Sequence, residues 1–204
     1  MIDIITSIDF FILQLIQSHV VRDSFTPVLK VLTTIGNAGA IWIVLGLILT
    51  LNKRTRKVGI IFLVFLAIEH FGINTTLKHH FARPRPFVQD PAITLLINAP
   101  KDTSFPSGHS SASFFAATYL YRYKKYLGVP AIILAGLIAF SRLYFYVHFP
   151  SDVLVGSLEG ILVGIVASFV LQLFIKRPIK TKINAKKKAR AEKKAAKARA
   201  KEEE

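Results

Sequence analysis

Cysteine is absent from the 204-residue chain, and acidic residues are few. Without cysteine the protein can form neither a disulfide framework nor a thiolate site. The N-terminus also has neither the basic leader nor the small-residue cleavage site of a removable signal peptide. We therefore expect the first residues to be part of the fold.

Hydrophobic residues make up 52% of the chain and the mean hydropathy is +0.45, which is typical of a polytopic membrane protein. Lysine and arginine number 27 against 12 acidic residues, and 13 of the 27 lie in residues 176–204. This Ala/Lys/Arg/Glu tail is predicted to be a helical or disordered cytoplasmic segment attracted to anionic lipid headgroups. Nucleic-acid binding is not favoured, because the tail has no aromatic interleaving and no recognisable fold.

Apolar stretches predict an all-α membrane bundle of about six transmembrane helices in residues 1–175. The stretches are residues 4–20, 38–51, 58–77, 107–120, 128–146 and 151–175. The first contains polar residues, and the sequence leaves open whether it spans the membrane or lies at the interface. In the last, Gly156, Gly160 and Gly164 are spaced for close helix packing.

Basic residues predict the orientation of the bundle, because lysine and arginine accumulate in cytoplasmic loops. This rule assigns residues 53–57 and 122–125, with the tail, to the cytoplasmic side of the membrane. The connections 78–106 and 147–150 then face outward. The longer one is rich in proline and carries basic residues against the rule, which indicates a local function. Aromatic residues 144–146, beside the shorter one, are interpreted most simply as an interfacial belt, and the alternative is that they flank a lipid headgroup.

The stretch SRLYFYVHFPSD, from Ser141 to Asp152, places three polar groups between two apolar segments. Pro150 disfavours helical geometry at the preceding residue, so we expect His148 at a break between helices. Asp152 follows four residues later and can accept the Nδ1 proton of His148, which would free Nε2 to act as nucleophile or base. Arg142 offers a permanent charge suited to phosphate, but it needs a bent backbone or a long reach to share a target with His148.

Two further clusters are predicted on the same face of the membrane. Residues 78–86 read KHHFARPRP and residues 106–109 read PSGH. Ser107 is a favoured N-cap and Gly108 lets the backbone approach a ligand, so the helix start directs free N–H groups at an anion, with His109 in the first turn. Together the clusters are predicted to form a cationic site with two histidines, and phosphate is the ligand that such a site favours. The same cations disfavour a metal site.

In this order the three clusters resemble the signature motifs of the type 2 phosphatidic acid phosphatase (lipid phosphate phosphatase) superfamily, in its bacterial integral-membrane branch. The matched positions are Lys78, Arg85, Pro86, Pro106, Ser107, Gly108, His109, Ser141, Arg142, His148 and Asp152. His79, His80 and Arg83 fall between matched positions, and the resemblance assigns them no role. Vanadate-dependent haloperoxidases have a similar site but are soluble proteins, and a non-enzymatic alternative is a membrane anchor that presents the basic tail to a partner.

The resemblance implies a metal-independent phosphatase that needs no cofactor and works through a phosphohistidine. His148 would attack phosphorus, Asp152 would orient His148, and His109 would protonate the leaving oxygen and later activate water. The phosphoryl oxygens would be held by the remaining matched polar groups, namely Lys78, Arg85, Ser107, Gly108 and Arg142.

The implied substrate is a lipid phosphate displayed on the outer face of the membrane. Three cationic side chains beside a helix N-terminus suit a diphosphate, so undecaprenyl diphosphate is the first expectation. Lipid A 1-phosphate, phosphatidylglycerophosphate and phosphatidate are the alternatives.

Overall fold

A computed structural model describes residues 2–175, and the basic tail of the sequence analysis lies outside the described residues. Every regular element in this range is helical, which confirms the all-α prediction. In chain order the elements are α1 (Ile2–His19), α2 (Thr26–Ile35), a 3-10 turn (Asn37–Gly39), α3 (Ala40–Leu51), α4 (Arg56–Ala67), a π-helical segment (Ile68–Asn74), α5 (Thr75–Phe81), α6 (Pro86–Gln89), α7 (Gly108–Tyr123), α8 (Lys125–Tyr144) and α9 (Pro150–Ile175).

Three helical stretches are long and apolar enough to cross a membrane, namely Arg56–Gln89, α8 and α9. A fourth results if α2 and the helix Asn37–Leu51, which are bent by 51°, form one broken span. Helix α1 is apolar but short, and α7 has 16 residues, or about 24 Å against the roughly 30 Å of a hydrocarbon core. The protein is a multi-pass membrane protein, and the number of six spans stays a prediction.

The bend between α2 and α3 has a local backbone cause. Ala38 and Gly39 both have positive φ, of 50° and 67°, which interrupts the helical path. Gly36, just before the bend, lies against α7, and a Cβ there would come within 3.0 Å of the ring of His109. The bend between α2 and α3 is therefore the part of this broken span that contacts the start of α7.

Helix α7 lies among the other helices, although it carries three serines. Trp42 of α3 donates to the hydroxyl of Ser113 at 3.0 Å, and the hydroxyl of Tyr119 donates to the carbonyl of Val58 in α4 at 2.9 Å. Most of its side chains are buried. A helix enclosed by neighbours presents little surface to lipid, so polar side chains are tolerated in α7 where they would be costly on a lipid-facing helix.

The glycines of α9 pack against α7, as the sequence predicts. A Cβ at Gly160 would lie 2.1 Å from the carbonyl oxygen of Ser111, and one at Gly156 would lie 2.5 Å from that of Ser107. Gly164 repeats the contact one turn later, at 2.9 Å from the carbonyl of Phe115. Only residues without a side chain allow the two backbones to approach this closely.

The aromatic residues after α8 do not form the expected interfacial belt. Tyr144, Phe145 and Tyr146 are each at most 2% exposed. The hydroxyl of Tyr144 bonds to that of Thr26 at 2.7 Å, and the hydroxyl of Tyr146 donates to Asp90 at 3.1 Å. The belt interpretation was wrong because partners in α2 and in the connection between α5 and α7 satisfy both hydroxyls inside the protein, where an interface would have supplied water.

Candidate active site

A cavity of about 770 Å³ is lined by the bend after α2, the π-helical segment and α5, the rest of the connection 78–106 that is predicted to face outward (the outer loop), the start of α7 and the loop after α8. Residues from all three sequence clusters meet at its wall. They are Lys78, Arg85, Gly108, His109, Arg142 and His148. Ser107 and Asp152, which the resemblance also assigns to the site, are fully buried and are not among the lining residues.

The loop between α8 and α9 positions His148. Helix α8 ends at Tyr144, the chain turns through Tyr146 at a φ of 58°, and Pro150 is the first residue of α9. Proline suits this first helical position because its missing N–H would be unpaired there. The turn supplies the bent backbone that Arg142 and His148 need to reach one cavity, and His148 itself is 2% exposed.

The hydrogen bonds of His148 define its tautomer. Nε2 lies 3.1 Å from Nη1 of Arg85, and a guanidinium can only donate, so Nε2 accepts and the ring proton lies on Nδ1. Burial lowers the pKa of His148 well below its usual value, and the charges of Arg85 and Arg142 lower it further. His148 is therefore neutral at physiological pH, with a lone pair on Nε2 among cations.

Asp152 does not make the predicted hydrogen bond to His148. Its Oδ2 lies 3.7 Å from Nδ1, which is too long for a hydrogen bond. Oδ2 instead accepts from the Ser104 hydroxyl at 2.5 Å and from the Phe149 N–H at 2.9 Å, and Oδ1 accepts from Arg83 at 2.6 Å. Because these donors hold both carboxylate oxygens, Asp152 is linked to His148 through the backbone N–H of Phe149, and its charge lies close to the His148 ring.

Arg83, to which the sequence assigned no role, connects Asp152 to the N-terminal helix. Its Nη2 donates to Oδ2 of Asp9 in α1 at 2.8 Å, and its guanidinium carbon lies 3.9 Å from the ring centroid of Phe149. Asp9 is 2% exposed and also accepts from the backbone N–H of Ser151 at 2.9 Å. An aspartate in an apolar helix signals a buried partner, but the sequence alone does not identify that partner.

Lys78 and Arg85 share one acidic partner that sequence reasoning missed. Nζ of Lys78 lies 3.0 Å from Oδ2 of Asp102, and Nη2 of Arg85 donates to its Oδ1 at 2.7 Å. Burial opposes ionisation of Asp102, but the two cations outweigh this effect and hold its pKa below its usual range. Asp102 is therefore a carboxylate at neutral pH.

Arg142, in the last turn of α8, retains capacity to bind an anion. Its Nη1 donates to the hydroxyl of Thr33 at the end of α2. Its Nε has no hydrogen-bond partner within residues 2–175, although the side chain is buried. A buried donor without a partner is costly, and a phosphoryl oxygen in the cavity would supply one.

The start of α7 has the predicted cap. The Ser107 hydroxyl accepts from the N–H of Ser110 at 3.4 Å, and the Ser107 N–H donates to the carbonyl of Asp152 at 3.1 Å. Ser107 therefore fixes the helix start and ties it to the loop after α8. Gly108 follows at the cavity wall, where a Cβ would come 3.2 Å from Oδ1 of Asn74.

His109 is held by the bend after α2. Its Nε2 lies 3.3 Å from the carbonyl oxygen of Thr33 and 3.0 Å from Oδ1 of Asn37. A carbonyl can only accept, so Nε2 carries a proton and, in the neutral ring, the lone pair lies on Nδ1. Neither Thr33 nor Asn37 lies in a motif, so no sequence pattern indicated this contact.

The remaining histidines of the first cluster lie elsewhere. His79 and His80, at the end of α5, are exposed and do not line the cavity, whereas His70 of the π-helical segment does. Among residues 2–175 no three His, Asp or Glu side chains are grouped so that they could hold a metal ion.

A family model described as the PAP2 superfamily matches residues 58–176. The undecaprenyl-diphosphatase of Sulfolobus acidocaldarius is 37% identical over 121 residues, which cover 59% of this chain and 58% of the relative. The putative undecaprenyl-diphosphatase YbjG of Escherichia coli is 37% identical over 107 residues, 52% of this chain and 53% of the relative. The matched region thus spans just over half the length of these relatives. The crystal structure of Aquifex aeolicus LpxE superimposes with a TM-score of 0.67 at 28% identity, over 78% of this chain and 93% of that one.

Proposed function

The chain belongs to the PAP2 superfamily, and we propose that it is a lipid phosphatase that hydrolyses undecaprenyl diphosphate through a phosphohistidine. The observation that carries the proposal is a neutral histidine, His148, whose Nε2 lone pair lies beside Arg85 at the wall of a cationic cavity. Imidazole is a nucleophile only when it is neutral. Cations around it would attract the phosphoryl group and stabilise the charge that its transfer redistributes.

The proposed reaction has two displacements at phosphorus. In the first, Nε2 of His148 forms a bond to the terminal phosphorus as its phosphoanhydride bond breaks, and His109 gives a proton to the oxygen that leaves on undecaprenyl phosphate. The charge of the bound phosphoryl group favours protonation of His109 for this step. In the second, His109 takes a proton from water, whose oxygen replaces the nitrogen at phosphorus and releases inorganic phosphate. Asp152 and Arg83 hold the loop that carries His148.

Three cations and one backbone amide would hold the phosphoryl oxygens. Arg142 brings its unpaired Nε, Lys78 and Arg85 bring the charges that Asp102 now binds, and Gly108 brings the N–H of the first turn of α7. Removing one such donor from a preorganised site lowers the rate by about 10²–10³. Ser107 would act indirectly, as the cap that fixes this helix start.

The cavity and the relatives support an isoprenoid diphosphate as substrate. The wall combines the cations with apolar residues of the outer loop, Leu95, Leu96 and Ile97. A phosphate group together with an apolar chain matches this pairing. Of the two relatives described above, one is named an undecaprenyl-diphosphatase and the other a putative one, and the substrate of this chain is inferred from them.

A phosphate-release assay with the full chain in detergent and EDTA tests the proposal. We expect the fastest release from undecaprenyl diphosphate, and slower release from lipid A 1-phosphate, phosphatidylglycerophosphate and phosphatidate. His148→Ala should abolish release, while His80→Ala, at an exposed histidine outside the cavity, should not. Faster phosphate release from another lipid would overturn the substrate assignment. Activity that requires added metal would overturn the proposed metal-independent mechanism.

We propose further that the site faces the extracytoplasmic side of the inner membrane and that the tail lies in the cytoplasm, near anionic headgroups. The basic residues at 53–57 and 122–125 support this orientation. Because the chain has no cysteine, single cysteines at Ala92 and Lys124, both exposed, can be labelled without background. An impermeant thiol reagent on intact cells should label Ala92→Cys and spare Lys124→Cys; the opposite pattern would invert the topology.

A further inference from the structure

Asp102 binds the two cations of the first cluster in the way a phosphoryl group would. Its Oδ1 accepts from Nη2 of Arg85 at 2.7 Å, and its Oδ2 lies 3.0 Å from Nζ of Lys78. A carboxylate presents two anionic oxygens on one centre, as do two of the oxygens of a phosphoryl group. Asp102 therefore bridges the same pair of charges that the substrate is proposed to bridge.

Arg85 uses four of its five N–H groups in this arrangement. Nε donates to the carbonyl of Asp102 at 2.8 Å, Nη1 donates to the carbonyl of Val147 at 2.5 Å and contacts Nε2 of His148, and Nη2 donates to the carboxylate of Asp102. A phosphoryl group that bridges Arg85 and Lys78 needs the position that the Asp102 carboxylate now occupies. The two carbonyls belong to the backbone and His148 is buried, so the acceptor that can leave by rotation of an exposed side chain is the Asp102 carboxylate.

The exposure of Asp102 permits this rotation. Its side chain is 56% exposed, against 4% for Arg85. The backbone beside it is fixed, because Lys78 donates to the carbonyl of Thr103 at 2.6 Å and the Ser104 N–H donates to the carbonyl of Arg83 at 2.8 Å. The carboxylate can swing into solvent while the loop stays in place.

We propose that Asp102 is an affinity-determining residue, a resident counter-ion on Lys78 and Arg85 that every phosphoryl ligand must displace. The inference rests on the proposed function of this site. The cost of displacement is the same for any ligand that takes both cations, whether it is substrate, inorganic phosphate or vanadate. Asp102 thus lowers the affinity of the site for substrate and for product by the same factor, and it favours release of phosphate at the end of each turnover.

This equality makes the proposal testable with Asp102→Asn, which keeps the shape of the side chain and removes its charge. Two partly exposed ion pairs are worth about 0.2–1 kcal/mol each, so the KM for the lipid diphosphate and the inhibition constants of phosphate and vanadate should all fall by one common factor, roughly two- to thirty-fold. The kcat should not rise, because phosphate then leaves more slowly. Asp102→Glu should return all three constants towards the wild-type values.

Asp90→Asn is the matched control, since Asp90 is an acid of the same outer loop that bonds to Tyr146 and to its own loop rather than to Lys78 or Arg85. It should leave the three constants within a factor of two. Asp102→Ser, a second neutral variant, carries the same expectation as Asp102→Asn if the latter expresses poorly.

Inhibition constants that stay unchanged or rise in the neutral variants would overturn the inference, because Asp102 would then position the cations or do nothing to them. Unequal changes for substrate and phosphate would overturn it as well. The proposed function is judged separately, on whether the wild-type protein releases phosphate from any of the lipids. Turnover by the wild type with unchanged constants in Asp102→Asn removes only the role of Asp102.

Discussion

Replacing Arg83 with methionine should be among the most damaging single changes outside the cavity wall. Arg83 is the shared cation between Asp9 and Asp152, whose side chains are 3% and 0% exposed. The Arg83→Met variant keeps the length of the side chain and leaves two buried carboxylates without their cation. Breaking a buried pair in this way costs about 3–5 kcal/mol, which for a chain of this size lowers the melting temperature by roughly 6–20 °C.

A second substitution tests the cause of this loss. Asp9→Asn removes one of the two uncompensated charges, so the double variant Arg83→Met/Asp9→Asn should melt at a higher temperature than Arg83→Met alone. Unlike the melting temperature, turnover should depend on how Asp152 is held, because Asp152 fixes the loop that carries His148. Because Arg83 does not line the cavity, we expect kcat to fall by on the order of 10² in both variants, with little change in KM.

The assay can use the single tryptophan of the protein, Trp42, which is 2% exposed and bonded to Ser113. Its fluorescence reports unfolding in detergent, whereas thiol-reactive dyes have no target in this chain. Arg56→Met is the control, because Arg56 is exposed and donates only a long bond of 3.3 Å to a backbone carbonyl. A melting temperature of Arg83→Met within about 2 °C of the wild type, or a double variant no more stable than the single one, would refute the reasoning.

Three further predictions address the site and its support. The pKa of His148 is lowered, so the ring becomes protonated only below its usual range; we expect the acidic limb of kcat/KM to lie below pH 6.5, and a limb at or above that value would contradict the assignment. Vanadate, which mimics pentacoordinate phosphorus, should inhibit competitively, and non-competitive inhibition would place it outside the cavity. Gly160→Leu should prevent folding, because its side chain would overlap the backbone of Ser111, whereas Gly136→Leu, with open space around its Cβ position, should be tolerated in a melting assay.

Local patterns account for the parts of the structure that were predicted well. The break at His148 follows from the proline two residues later, and the start of α7 follows from the cap chemistry of Ser107. Close packing of α9 follows from the spacing of its glycines. Each of these predictions needs only residues within a few turns of one another.

The predictions that failed concern partners far apart in the sequence. Spacing suggested that Asp152 bonds to His148 four residues away, but Arg83, 69 residues away, takes one carboxylate oxygen and Ser104 takes the other. Likewise the aromatic run at 144–146 has the composition of an interfacial belt, and only the fold shows that it is buried and bonded to Thr26 of α2 and to Asp90. The hydropathy pattern shows which polar residues lie in apolar segments. It does not show which distant residues they bond to.

The loop that carries His148 is held from three directions, and this arrangement replaces the direct carboxylate contact. Asp9 in α1 accepts from the backbone of Ser151, Arg83 in the outer loop binds Asp152, and the N–H of Ser107 at the start of α7 donates to the carbonyl of Asp152. Helix α1 lies outside the region that the family model matches. The first helix therefore supports the proposed site, because a nucleophile held by its backbone, the role proposed for His148, depends on every element that fixes that backbone.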